Sequence, residues 1–205
     1  MYCLYLDHST SDGVSALMED GRVIETRCCE RSQTRHPCTT WQELLDSHGL
    51  QLKEIAFFAC GVGPGSYTGI RSAAATVQAA ALAMEKPIVA VSSLLLCVPA
   101  EEGSYLALSD AGPGGAFVQR VEIHGKQYHL SRADRMDLSA ALALIQSGVT
   151  AVSSSTEWIR KKAGEGFDVR VVPPQALSAA LFAYQEWGSG RSYDALKLPL
   201  EYPLS

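Results

Sequence analysis

A short apolar run, Ile55-Ala56-Phe57-Phe58-Ala59-Cys60, leads straight into Gly61-Val62-Gly63-Pro64-Gly65-Ser66-Tyr67-Thr68-Gly69, and an alanine-rich stretch continues to Met84. The apolar run has the length and flanks of a buried strand. Beyond Gly69, residues Ile70, Ala73, Ala74, Val77, Ala81 and Met84 recur at helical spacing. A strand thus feeds a glycine-rich turn, and the turn feeds a helix, which commits this part of the chain to α/β packing. Backbone N–H groups in such a turn, and at a helix start, make a natural anion site. The stretch could hold a nucleotide, perform chemistry, or shape a surface for a partner.

Spacing removes the best-known nucleotide loops. Ser66 stands where the third glycine of a dinucleotide fingerprint belongs. A phosphate loop of the Gly-Lys-Ser/Thr kind needs a lysine to reach the terminal phosphates, and none occurs between Lys53 and Lys86. Pro64 occupies the first glycine position of a Gly-x-Ser-x-Gly nucleophile elbow. What the residues themselves support is a tight strand-to-helix turn that needs positive φ or a close backbone approach.

The rest of the chain reads as two passes through one pattern. Tyr2–Leu6 is strand-like and ends at Asp7; Val14–Met18 and Arg22–Arg27 form a hairpin across Asp20-Gly21. A helix carrying Trp41, Leu44, Leu45 and His48 closes at Gly49, and Pro87 ends the long helix before the strand Ile88–Val91. The second pass has Tyr105–Ser109 ending at Asp110, then Phe117–Ile123, Lys126–Leu130, a helix with Leu138, Ala141, Leu142 and Ile145, and Val149–Val152. Ser155–Ala163 reads as a helix, Val169–Val172 as a strand before Pro173-Pro174, and Leu177, Ala180, Leu181 and Tyr184 as a final helix. The tail from Ser192 reads as irregular. Element order, not residue identity, carries the repeat. It predicts two similar α/β lobes, residues 1–100 and 101–205, meeting at a cleft with Asp7 and Asp110 at equivalent strand ends. The hairpins predict mixed sheets in place of all-parallel ones.

With 205 residues the chain can bury a full core, and its net charge of −5 gives no general basic footprint for nucleic acid. Six cysteines show neither C-x-x-C spacing nor a disulfide framework, and several lie in apolar runs, which predicts inert, reduced thiols. Cys28-Cys29 is read as a buried pair. No apolar run has the length of a membrane span and none resembles a signal peptide, so a cytoplasmic protein is expected. The histidines His8, His36, His48, His124 and His129 form no metal-ligand spacing. Asp7 and Asp110 are the two candidates for contact with a metal-bound phosphate; the plainer account of each is an Asx-type turn at a strand end.

Small residues cover much of the long helix: Ala73, Ala74, Ala75, Ala79, Ala80, Ala81 and Ala83. Such a surface lets a second helix approach closely. Two outcomes are open, burial within its own lobe or a helix–helix contact with another protein. The contact would use Ile70, Ala73, Ala74, Val77 and Ala81, with Trp41, Leu44 and Leu45 from the preceding helix.

Gly63-Pro-Gly-Ser-Tyr-Thr-Gly-Ile-Arg71 closely resembles the Gly-Pro-Gly-Ser-(Phe/Tyr)-Thr-Gly-(Val/Leu/Ile)-Arg signature of the bacterial TsaB (YeaZ) family. Leu6-Asp7-His8-Ser9-Thr10 is similar to that family's Leu-Asp-Thr-Ser opening, and Val91-Ser92-Ser93-Leu94 to its Val-Ser-(Ser/Thr)-Leu segment. The resemblance is dense over roughly the first half and thin beyond it. It implies the actin-like (ribonuclease H-like) fold of two lobes, each a mixed sheet flanked by helices. It implies a non-catalytic partner of TsaD, which transfers threonylcarbamoyl to adenosine 37 of tRNA. The ATPase TsaE joins that pair, and ATP and magnesium belong to the partner subunits. Self-association through the same helical surface, and only indirect contact with tRNA, are further implications. An actin-like ATPase using Asp7 and Asp110, with Gly112–Gly115 as a phosphate loop, is the alternative. A zinc peptidase, the older label, finds no ligand set here. The chain departs from the family pattern at Gln33-Thr34, where His-Thr is usual. It departs again at Asp110–Phe117, where the arginine and glutamate of the family's Asp-Ala-Arg-x-Gly-Glu-Val-Tyr are lost. The second lobe reads as shortened and divergent.

Overall fold

A computed structural model describes residues 1–30, 37–145 and 149–200. Three strands open the chain: β1 (Tyr2–Asp7), β2 (Asp12–Glu19) and β3 (Arg22–Glu30). Asp20 and Gly21 both take positive φ (48° and 75°), the pairing a two-residue hairpin turn requires. Next come α1 (Pro37–Ser47), β4 (Ile55–Gly61), α2 (Tyr67–Met84) and β5 (Ile88–Val91). A 3-10 segment, Ser93–Cys97, links this half to the second.

The second half runs β6 (Gly103–Asp110), β7 (Gly115–His124), β8 (Gln127–Leu130), β9 (Asp134–Asp137), α3 (Leu138–Ile145), β10 (Thr150–Ser153), α4 (Glu157–Ala163), β11 (Val169–Val171) and α5 (Leu177–Gly188). β9 was not expected; its Asp-Arg-Met-Asp sequence has no apolar alternation, and it forms by pairing with the free side of β7. Gln33, Thr34, His36 and Gly148 lie outside the described residues.

The first sheet has the order β3-β2-β1-β4-β5 and the second β8-β7-β6-β10-β11, so the repeat seen in element order is a repeat of topology. In each sheet the hairpin strands are antiparallel and the strands behind the helical crossovers are parallel. The registers correspond as well. Leu4 faces Phe58 and Phe58 faces Ile88, while Leu106 faces Ala151 and Ala151 faces Val169. The second lobe keeps every strand of the pattern, so its divergence is one of residues and helix length. α2 has 18 residues and its counterpart α4 has 7.

Period-2 alternation distributes the buried apolar strand residues among three cores. Cys3, Tyr5, Phe57, Ala59, Val89 and Val91 face inward, across to Tyr105, Ala107, Val121 and Val152 of the second sheet. The Ser93–Cys97 segment and α5, through Ala176, Ala179, Ala180 and Ala183, belong to this same central core. Phe57 stacks on Trp187 at 4.7 Å between centroids. Leu4, Leu6, Phe58, Cys60 and Ile88 face the other way, under α1 and α2. Leu106, Leu108, Ala116 and Ala151 do the same under α3 and α4.

The central core makes the two lobes continuous. Polar ties reinforce it: Ser92 Oγ donates to Gln119 Oε1 at 2.7 Å, and Gln119 Nε2 donates to Ser131 O at 2.8 Å. Gln185 on α5 brackets Tyr128, accepting from its N–H at 2.7 Å and donating to its carbonyl at 2.8 Å. The chain does not stay on one side of residue 100. Tyr193 forms an antiparallel bridge with Ile88, and Ala195 and Leu198 enter the core beneath α2.

Candidate functional site

β1 brings Asp7 to the end of the first sheet, and the glycine turn after β4 closes over it. Asp7 is fully buried. Its Oδ2 accepts from Tyr5 Oη at 3.0 Å and its Oδ1 from Ser9 N–H at 2.7 Å, the latter an Asx-type turn. Burial, and then the charge on Asp7, push the Tyr5 phenol far above its usual range. The Cys60 thiol is raised by burial first and by Asp7 second. Cys3 is likewise raised by burial, and Cys97 is pushed up to about 12. These three are inert thiols, as expected. Cys28 is exposed, contrary to the expected buried pair, because alternation on the edge strand β3 turns it to solvent. The side chain of Cys29 lies outside the described residues.

Three glycines of the turn, Gly61, Gly65 and Gly69, are explained by what a side chain there would meet. A methyl group on Gly61 would overlap Asp7 Oδ2, and one on Gly69 would overlap the His8 carbonyl oxygen. At Gly65 a Cβ would sit 2.6 Å from both Cβ and O of Ser9. Hydrogen bonds complete the wrap. Ser66 N–H donates to Ser9 O at 2.8 Å, and Ser66 Oγ caps α2 by accepting from Gly69 N–H at 3.3 Å. On the far side, Gly63 N–H donates to Ser93 Oγ at 3.0 Å while Ser93 N–H donates to Gly63 O at 2.8 Å. Leu6–Thr10, Gly63–Arg71 and Val91–Leu94 are therefore one interlocked unit, with Gly61, Gly65 and Gly69 packed against protein atoms and Gly63 hydrogen-bonded to Ser93.

The second lobe does not mirror Asp7 with Asp110. From the shared register Leu4/Leu106, Asp7 corresponds to Ser109, because β6 carries one residue more before its aspartate. One residue of offset turns a strand side chain to the opposite face. Asp110 accordingly pairs with Ala116 of the outer core and forms an ion pair with Lys162 of α4. Lys162 Nζ also donates to Gly112 O, and Gly112 N–H donates to Asp110 Oδ1 at 2.8 Å. Both aspartates end their strands and make Asx-type turns, as read from the sequence, but the expected equivalence of the two strand ends is corrected by one residue, which puts the side chains on opposite faces of their sheets. The Gly112–Gly115 loop is occupied by Lys162 instead of being an open cradle. Among the described residues, no group of three or more His, Cys, Asp or Glu side chains could hold a metal ion.

His8, which the sequence offered only as one of five histidines without metal-ligand spacing, is an ionisable neighbour of Asp7 in this unit. Its ring lies against Gly13, where a Cβ would overlap the imidazole, and its Nε2 is buried without a hydrogen-bond partner. Burial holds its pKa below the ordinary 6.5, with Asp7 opposing that shift. The folded state therefore takes up the proton less readily than the unfolded chain. The stability this contributes is complete above the unfolded value and is lost as pH falls through the folded one. Urea unfolding across a pH series should show wild type losing stability below pH of about 6.5 relative to His8→Gln. A constant difference between the two proteins would mean that His8 does not titrate on unfolding.

The interface residues expected from the sequence are all placed inside the first lobe. Ile70, Ala73 and Val77 are 0% exposed, Ala74 and Ala81 1%, and Trp41, Leu44 and Leu45 no more than 3%. Trp41 stacks on Phe58 at 5.5 Å and its Nε1 donates to Tyr5 O at 3.4 Å. They face the sheet because they are the apolar stripe of each helix, so they cannot form a surface without unfolding the lobe. The opposite side of α2 is exposed at Thr68, Ser72, Ala75, Ala79 and Leu82. Leu82 is 60% exposed, and Tyr67 at the helix start is covered by the Arg71 guanidinium 4.0 Å from its ring centre. Alanine satisfies both faces of a helix, so composition alone did not distinguish them.

Comparison with known proteins places this geometry among relatives. A family model described as TsaD: tRNA N6-adenosine threonylcarbamoyltransferase matches residues 28–177. The tRNA threonylcarbamoyladenosine biosynthesis protein TsaB of Escherichia coli is 35% identical over 96 residues, covering 46% of this chain and 42% of that protein. The protein of the same name from Haemophilus influenzae is 33% identical over 92 residues, covering 44% of this chain and 39% of its own. The matched stretch thus spans well under two thirds of either relative. Among solved structures, YeaZ from Pseudomonas aeruginosa superposes with a TM-score of 0.81 at 22% identity, over 98% of this chain and 99% of the other. That likeness establishes the actin-like, two-lobed α/β fold.

Proposed function

This chain belongs to the family described by the TsaD: tRNA N6-adenosine threonylcarbamoyltransferase model and is a protein of the TsaB/YeaZ kind, and from that premise we propose that it serves as a non-catalytic subunit in the synthesis of threonylcarbamoyladenosine on tRNA. Its part is to pair with TsaD, the transferase, while TsaE joins the pair. Contact with tRNA is through TsaD, in keeping with a chain of net charge −5.

One observation carries the pairing. Thr68, Ser72, Ala75, Ala79 and Leu82 are all exposed and follow one another at alternating intervals of four and three residues. That is the heptad spacing of a helix seam. Small residues along it allow a second helix to come to about 8–10 Å. Leu82 then supplies an apolar anchor that gains from being covered. The interlocked glycine unit supports this use, because it fixes the start of α2 through Gly69 and Ser66.

Purified chain, TsaD and TsaE of one organism should co-elute as a stoichiometric complex, tested with and without ATP. Threonylcarbamoylation of a substrate tRNA by the reconstituted set should fall to background when this chain is omitted. Full modification without it, or elution of TsaD apart from it, would remove the proposal.

A further inference from the structure

We propose that the cavity between α3 and α4, on the outer face of the second sheet, binds an uncharged small molecule with an apolar body and a single polar group. The internal repeat shows why the space exists. In the first lobe α1 and α2 have 11 and 18 residues, and Trp41 stacks on Phe58 within a core that the tail completes with Ala195 and Leu198. In the second lobe α3 and α4 are described over 8 and 7 residues. Between these shorter helices lies a cavity of about 590 Å³, within the range of roughly 300–1,000 Å³ in which proteins hold small ligands.

The wall decides the class of ligand. Leu138, Leu142 and Ala143 come from α3, Ala163 from the end of α4, and Phe167 from the segment that follows it. Leu138 and Leu142 belong to the outer core and Phe167 packs against it, so most of this apolar lining is held in place by the fold. Among the described residues of the wall, Lys162 alone is charged. Its ammonium already donates to Asp110 Oδ1 and Gly112 O and lies 5.5 Å from the centre of the Trp158 ring. An anion would have to displace Asp110, and a cation would meet Lys162, so the wall provides for neither charge. A polypeptide segment would bring main-chain N–H and carbonyl groups against a lining with few partners for them. Ser139, also in the wall, has a hydroxyl that makes no hydrogen bond with another described residue. It can serve one hydroxyl, carbonyl or N–H on the ligand. The molecule that matches is an aromatic or branched aliphatic body carrying one such group. This site lies on α3 and α4, apart from the α2 seam, and does not rest on the pairing with TsaD.

The probe is N-phenyl-1-naphthylamine, an uncharged diaryl amine whose fluorescence rises in apolar surroundings, titrated into the full chain. Saturable binding at one site is expected. Ala143→Trp and Ala163→Trp each bring an indole into the cavity from an exposed position, and each should weaken binding at least about tenfold while the chain stays folded. Ala140→Trp, exposed on α3 but outside the wall, should bind as wild type does. The sulfonated analogue 1-anilinonaphthalene-8-sulfonate should bind the native chain at least about tenfold more weakly than the amine, because its charge finds no free partner. That comparison needs no variant, which keeps the test valid if an indole disturbs the fold. Absence of saturable binding, equal binding in all three variants, or a sulfonate that binds as tightly as the amine would overturn the proposal. Equal binding in the variants is what adsorption to an exposed protein-docking face would give.

Discussion

Gly69→Ala is expected to destabilise the folded chain by about 3 kcal/mol, the upper range of overpacking costs. An exposed glycine in the first turn of a helix would ordinarily gain up to about 1 kcal/mol on becoming alanine. The opposite sign is expected here because the new methyl would overlap the His8 carbonyl oxygen, a backbone atom of the residue next to Ser9, whose own carbonyl accepts from Ser66 N–H. Gly61→Ala should behave alike, since its methyl would overlap the Asp7 carboxylate, which is itself fixed by Tyr5 and Ser9. The control is Gly112→Ala. Gly112 has φ +86° but no atom within 4 Å of an added Cβ, so only the backbone preference is lost, about 1 kcal/mol. Urea midpoints at constant m-value measure all three. Losses at Gly61 and Gly69, neither of which has positive φ, that are no larger than the loss at Gly112 would show that the close approach is relieved by movement of the neighbouring atoms.

The second large effect separates the two faces of α2. Ala74→Arg places an unpaired guanidinium at a position 1% exposed, in the core that also holds Phe58 and Leu4, and the protein should fail to fold. Ala79→Arg lies on the exposed seam, and its stability should stay within about 0.5 kcal/mol of wild type, as surface changes usually do. Its affinity for TsaD should nevertheless drop at least about 100-fold, or 2.7 kcal/mol, because an arginine cannot be accommodated where two backbones meet closely. Circular dichroism and denaturation separate the folding effect from the binding effect. Wild-type affinity in Ala79→Arg would place the contact elsewhere on the molecule.

Much of this architecture was legible in the sequence because strand and helix periods are local properties. Tyr2–Leu6, Asp20-Gly21, the Trp41 helix and the two passes through one element order all read directly from apolar spacing and turn chemistry. The shared order of the two sheets followed, since hairpins and helical crossovers leave few ways to pair the strands. What escaped depended on single-residue offsets or on tertiary packing. One extra residue in β6 turned Asp110 to the outer face, which no motif reveals. The polar strand β9 exists only because β7 offers it an edge. The inward and outward sides of α2 could not be told apart where both are alanine. The placement of α5 between the sheets, and of Ala195 and Leu198 beneath α2, is set by long-range contacts that a periodicity carries no trace of. The site followed the same division: the Gly63–Arg71 signature was plain, but its meaning as packing around Asp7, His8 and Ser9 required the fold.

The outward face of α2 is the centre of the account, and titration calorimetry of the native chain into TsaD tests it most directly. A 1:1 complex is predicted, with Ala79→Arg giving no heat of binding under the same conditions while remaining folded. Undetectable binding of the native chain at concentrations where both proteins are soluble and folded would contradict it.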